Sequence, residues 1–220
     1  MSKKILAIHQ FVPFITEGND VSNAVFFTQV ILKEMGFESK IFANKIDSLL
    51  MNKAEHIDSY CQNKDQILLY HHYIGHEYHQ HIMKFKDKKI LVYHAITPAH
   101  FFRQDQRLSQ LFCIKGREQL VSSVNNFIAT YTDSPYNAKE LFSLGYKKVS
   151  VIPLLFNTED RKDAFNEDIV KNYQNTYNIV TVGKITSNRV QHEVINSIFY
   201  LREKYKIKNI KLFVIGEVLE

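Results

Sequence analysis

Only two cysteines occur in 220 residues, and Cys61 and Cys113 stand far apart without metal-ligand spacing. A disulfide framework and a zinc module are therefore not expected, and both side chains read as small hydrophobes of a protein kept in a reducing compartment. The sequence has no run approaching the roughly 18 to 20 apolar residues that a bilayer-crossing helix needs. Lys3 and Lys4 precede a short apolar stretch, but Gln10 and Pro13 interrupt it, so a first β-strand explains it better than a signal peptide. The turn after that strand lacks the Gly-x-Gly-x-x-Gly of a nicotinamide or flavin site. Nor does the sequence carry an HExxH, a helix-turn-helix, a zinc finger or an RNA-recognition signature.

What is there fits a globular protein: 45% of residues are hydrophobic and 23% charged. The formal charge of +5 and pI near 9.0 favour anionic partners. The lysine-rich stretches at Lys84 to Lys89 and Lys204 to Lys211 look like solvated helix ends and loops, so no nucleic acid is expected. Sugar nucleotides or an anionic membrane surface suit the charge better, and the expected location is the cytoplasm, with peripheral contact at the inner face of the membrane left open.

Short β-like runs alternate with longer helical ones, the pattern of a doubly wound parallel sheet with helices on both faces. Strands are expected at Lys4 to His9, Ser39 to Ala43, Ile67 to His71, Lys89 to His94, Phe127 to Tyr131 and Val149 to Ile152. Helices are expected at Val21 to Met35, His76 to Phe85, Arg107 to Val124 and Asn137 to Leu144, with a weaker one at Met51 to Gln62. Gly36 and Gly145 close two of them. The polar segment 157–177 reads as a linker between a Rossmann-like domain, 1–156, and the opening of a second domain, 178–220. That second segment supplies one strand–helix–strand unit, whereas a doubly wound domain usually has five or six strands.

Several residues sit where chemistry would occur. Ile179 to Val182 leads into Gly183, Lys184 and a turn holding Arg189, which opens an amphipathic helix. A helix N-terminus with two added cations is an anion site, suited to a phosphate or diphosphate. His94 ends a strand at the carboxyl edge of the sheet, where open α/β folds bind ligands, although such a histidine can equally satisfy a loop carbonyl. The loop with Gly18, Asn19, Asp20, Ser22 and Asn23 enters a helix that Asp20 or Ser22 would cap, and it could hold a sugar hydroxyl or phosphate. Ser134 and Asn137 follow another strand, as ligand contacts or as parts of a helix cap for which Ser134 or Asp133 is the natural residue. His71, His72, His76, His79 and His81 cluster in sequence, but Gly75 interrupts the helix a metal pair would need; the first two are read as ending a strand and the others as facing solvent.

The ordered segments QFVPFITEGNDVSNA, YHHYIGHE, YHAITPAHFF, TDSPYNAKELFSLG, VIPLLF and VGKITSNRVQHEVI resemble the bacterial glycosyltransferase family 4, whose fold is GT-B, over essentially the whole chain. The resemblance implies a retaining enzyme without metal or other cofactor. It would move a sugar from a nucleotide-sugar to a surface polysaccharide, lipopolysaccharide or other saccharide or lipid-linked acceptor. It implies that the Gly18 to Asn23 loop and His94 face acceptor and reacting sugar, while Gly183, Lys184 and Arg189 hold the donor phosphates. The family turn usually reads Gly-Arg with a lysine five residues later, so the two cations are exchanged here. Lysine at the first place forgoes the bidentate fork of an arginine. Family members continue through a pair of glutamates eight positions apart, and Glu217 and Glu220 have the wrong spacing. The expectation is thus a truncated or split enzyme, or an interaction module pairing with a complementary carboxy-terminal half.

Overall fold

The computed structural model describes residues 7–103, 106–156, 166–186 and 190–218. They fall into two compact units, Met1–Ala99 with Leu108–Thr158, and His100–Arg107 with Glu159–Glu220.

Unit 1 is built on seven parallel strands: β1 (Ile8–Ile15), β2 (Ile41–Ile46), β3 (Glu55–His56), β4 (Ile67–His72), β5 (Lys88–Tyr93), β6 (Ala129–Thr132) and β7 (Val149–Val151). Their order is β3-β2-β1-β4-β5-β6-β7. The chain winds outward from β1 to β3, returns to β4 beside β1, and winds the other way. The doubly wound Rossmann-like sheet expected from the periodicity is present, with its topological switch between β1 and β4, where such folds open a ligand crevice. Helices α1 (Asp20–Glu34), α2 (His79–Met83), α3 (Arg107–Ser122) and α4 (Pro135–Ser143) connect the strands. Alternate residues of a strand point to opposite faces. On β4, Leu69 and His71 line a cavity together with Ala24 and Thr28 of α1. The adjacent His72 bonds Gly116 of α3 on the other face.

Four elements depart from the sequence reading. The first strand runs to Ile15 instead of ending at His9, and its expected start lies outside the described residues. Pro13 is tolerated inside it because pairing with β4 stops at Phe11, while the β2 register skips from Val12 to Phe14, so the missing N–H interrupts no ladder bond. The helix expected over Met51 to Gln62 is instead a turn, the short β3 edge strand and a single 3₁₀ turn at Ile57–Ser59. The helix expected to start at His76 is cut to His79–Met83. Residues before it are held by α3: Gly75 N–H donates to Phe112 O at 2.9 Å, and Gln119 receives His76 N–H and donates to His76 O. A Cβ on Gly75 would stand 2.6 Å from Gly116 N and 2.7 Å from Phe112 O, so this approach needs glycine. Finally, part of the segment read as a linker is helical: α5 (Glu167–Tyr173) starts at an Asn166 cap.

Unit 2 adds a parallel pair, β8 (Tyr177–Val182) and β9 (Ile210–Ile215), joined by α6 (Gln191–Tyr205). The strand–helix–strand unit read from Asn178 to Gly216 is therefore present. Gly216 lies so close to β8 that an added Cβ would collide with Gly183 O. Among the described residues, no helix is long and apolar enough to cross a membrane.

Candidate functional site

Four polar side chains form a line across four neighbouring strands, from within β1 to the carboxyl ends of the others. Gln10 lies in β1, His71 in β4, and His94 and Asp133 follow directly after β5 and β6. Gln10 Nε2 donates to Val25 O of α1 at 3.0 Å, and Gln10 Oε1 meets His71 Nε2 at 3.1 Å. His71 Nδ1 meets His94 Nε2 at 2.9 Å, with the two rings 4° from parallel. His94 Nδ1 stands 3.8 Å from Asp133 Oδ2 and has no hydrogen-bond partner of its own. Asn137 Nδ2 fixes the other carboxylate oxygen at 2.5 Å.

Burial sets the charge states. Desolvation, reinforced by the facing His94, pushes the His71 pKa well below its ordinary value, so its ring is neutral. The neighbouring His94 and the Asn137 hydrogen bond hold the Asp133 carboxyl below the usual range, so it is ionised. The His94 side chain is only 5% exposed and Asp133 25%, which makes Asp133 the more solvent-accessible end. Both border a cavity of about 180 Å³ whose remaining wall is mostly apolar, including Leu69, Val92, Ile152 and Leu155. Apolar walls with a few convergent polar groups are the usual composition of a ligand pocket.

The backbone around His94 is held in an unusual shape. Ala95 adopts φ 62°, a left-handed conformation that costs a residue with a Cβ on the order of 1 kcal/mol. It is held from both sides: His94 N–H donates to His72 O, and Ile96 N–H donates to Tyr93 Oη. Arg117 then donates to Ile96 O and Thr97 O, and pairs with Glu140 at 3.3 Å. Strain that the surroundings over-determine is characteristic of functional loops.

The other expected residues are distributed as follows. Asn19, not Asp20 or Ser22, caps α1, its Oδ1 accepting from Val21 N–H and Ser22 N–H. Asp20, Ser22 and Asn23 are thus helical rather than loop residues, because the extended Asn19 backbone already satisfies the cap geometry. Ser22 is buried, and its Oγ accepts from Thr16 N–H. Gly18 takes φ 67° in the turn, while Asp20 and Asn23 stay exposed. Ser134 caps α4 by accepting from Asn137 N–H, which frees Asp133 to face His94. Lys184 is exposed, and its carbonyl accepts from Gln191 Nε2. α6 begins after Val190 without a side-chain cap. Arg189 lies outside the described residues, so the turn expected to bind phosphate is described for Gly183 and Lys184 only.

The histidine cluster differs from its reading. His76 and His79 are buried, not solvent-facing, and both bond Tyr70 Oη at 2.7 Å. The local sequence hides this because the hydroxyl that recruits them is on β4, and Gln119 of α3 folds the intervening turn inward. Only His81 of the five is exposed. Among the described residues, no group of three His, Cys, Asp or Glu side chains could hold a metal ion. Gln10 and His71 were not singled out as site residues. Their signal is a polar residue inside an apolar, doubly covered strand, a placement that requires a partner.

No family model matches the chain, and no curated protein does. Among solved structures, it is similar to an alpha-glucosyltransferase in complex with UDP-glucose and DNA containing an abasic site. The TM-score is 0.51 at 10% identity, over 96% of this chain and 67% of that one. The likeness is one of fold. It agrees with the doubly wound parallel sheet described above.

Proposed function

We propose that this chain acts in sugar transfer from a nucleotide-sugar, as a retaining, metal-independent glycosyltransferase of the family 4 kind with a surface polysaccharide or lipopolysaccharide acceptor. The observation that carries this reading is the polar line ending at His94 and Asp133 in a cavity at the carboxyl edge of a glycosyltransferase-like sheet. In this assignment His94 serves the reacting sugar. Residues 178–220 hold the donor, with Gly183, Lys184 and Arg189 on its phosphates. The turn at Gly18 and Asn19 and the start of α1 serve the acceptor, and Ser134 and Asn137 act by positioning Asp133. Peripheral docking on an anionic leaflet fits the net charge of +5.

The chemistry asks mainly for electrostatics. The bond from the anomeric carbon to the donor phosphate breaks with its electron pair leaving on the diphosphate, which Lys184 and Arg189 neutralise. An acceptor hydroxyl oxygen forms the new bond to the same face, and its proton passes to the departing phosphate oxygen. Asp133 offsets the positive charge gathering on the sugar ring.

Calorimetric titration of nucleoside diphosphates into wild type and into a Lys184→Ala, Arg189→Ala double variant tests the phosphate role. The proposal expects at least tenfold weaker binding in the variant; equal affinity refutes it. A second reading, pairing with a complementary polypeptide, draws on the exposed apolar residues Val180, Val182 and Ile215 of β8 and β9. Mixing the chain with a separately expressed carboxy-terminal half distinguishes the two: transfer supports the enzyme reading, and tight binding without transfer supports the module.

A further inference from the structure

We infer that Gln10 and His71 are positioning residues that fix a hydrogen on His94 Nε2, so that the neutral ring turns a bare Nδ1 toward Asp133. Val25 O can only accept, so the Gln10 group facing it is the amide NH₂, and Gln10 presents Oε1 to His71. An amide oxygen also only accepts, so His71 Nε2 carries hydrogen. His71 is a neutral ring, because burial and the facing His94 oppose its protonation. Its Nδ1 is therefore a lone pair, and the 2.9 Å contact to His94 Nε2 needs a hydrogen from His94. Each link leaves one choice for the next, and the near-parallel rings keep the N–H···N contact in line.

Such an arrangement selects a ligand class. The polar pole of the cavity then presents the Asp133 carboxylate, an acceptor, with the buried His94 Nδ1 behind it. Hydroxyl groups can donate to the carboxylate, whereas a phosphate at the same place would meet a negative charge. The cavity therefore takes the hydroxyl-bearing part of a ligand and not its anionic part. That consequence rests on the sugar-transfer reading only in naming the ligand a sugar; the position of the hydrogen does not depend on it.

The decisive measurement is ¹⁵N NMR of the imidazole nitrogens of His94 in the full, ligand-free chain at pH 7.5. Wild type is expected to show protonated Nε2 and bare Nδ1; hydrogen on Nδ1 overturns the assignment whatever the variants do. In His71→Leu the inner acceptor is gone and Asp133 competes for the hydrogen. The tautomer ratio is then expected to move roughly tenfold toward Nδ1–H, the scale of one net hydrogen bond. Gln10→Leu is expected to mix the tautomers. An unchanged His94 tautomer in both His71→Leu and Gln10→Leu, with native amide dispersion, would refute the positioning role. No donor or acceptor is present in these samples, so failure here is distinct from failure of sugar transfer, which the diphosphate titration reads.

Discussion

Unit 1 should be unusually sensitive to mild acid, because four histidines are buried in it as neutral rings. Burial pushes His72 and His79 down to about 4 and His76 down to about 2, and lowers His71 further than an ordinary value allows for any charge at neutral pH. Mutual repulsion and the nearby Lys115 deepen the shifts of His76 and His79. Buried Nδ1 of His72 and His76 and Nε2 of His79 have no partner that would welcome a proton. In the unfolded chain each ring titrates at its ordinary value of 6.5. The sign follows. Above pH 7 both states are neutral and no penalty exists. As pH falls through 6.5, the unfolded chain binds protons that the folded one refuses, so stability drops. Each histidine contributes about 1.4 kcal/mol per pH unit until its folded-state value is reached, or about 3 kcal/mol in all for His72 or His79. Four together reach about 5.5 kcal/mol per pH unit, against a typical domain stability of about 5 to 15 kcal/mol. Asp133 does not confuse the window, because its lowered carboxyl gives up stability only below the ordinary carboxylate range. Urea melts followed by circular dichroism at pH 7.5, 6.5, 6.0 and 5.5 are expected to show a falling midpoint at constant slope, with unfolding in buffer near pH 5. His79→Gln is expected to flatten the dependence by about one proton. Stability that stays level between pH 7 and 5 would refute the reasoning.

Gly75→Ala is expected to cost about 1 to 3 kcal/mol in urea melts, since its Cβ meets backbone atoms of α3 that cannot swing aside. The same variant should shift the His76 and His79 ring resonances; wild-type shifts and stability would show that the close approach is not required. Tyr93→Phe removes an acceptor from Ile96 N–H and a 2.6 Å donor to Glu140, and should cost about 1 to 3 kcal/mol. Ala95→Gly relieves the left-handed backbone yet frees the unfolded chain, so the melt is expected to change by less than about 1 kcal/mol while the His94 ring becomes more mobile by ¹⁵N relaxation. A loss above that amount would mean the Ala95 methyl group packs in an important way.

Much of the architecture was legible because it is written in periodicity. The β4 run ILLYHH and the β5 run KKILVY alternate or saturate with apolar residues, and Gly36 and Gly145 end α1 and α4 by adopting positive φ. Boundaries failed where tertiary contacts override local preference. β1 continues through Pro13 because its neighbour stops pairing at Phe11, and α2 is shortened because Gln119 and Phe112 hold the preceding turn. His94 was placed correctly at a strand end, but its partners were not foreseen. Gln10 and His71 lie 61 residues apart, and only the return of the chain to β4 beside β1 brings them together. Ser134 and Asp133 were both read as candidate caps, and the structure uses Ser134, which leaves its neighbour Asp133 to face His94. The turn after β8 was legible as the start of a helix, and Gly183 and Gly216 approach closely beside it.

The most direct test of the account is to follow the His94 ring and the Asp133 amide by NMR while titrating UDP-, GDP- and ADP-linked hexoses, with the bare nucleoside diphosphates as controls. The account predicts saturable shifts at His94 with one nucleotide-sugar and none of that size with its diphosphate alone. Resonances of His94 and Asp133 that stay still throughout, up to millimolar ligand, would contradict it.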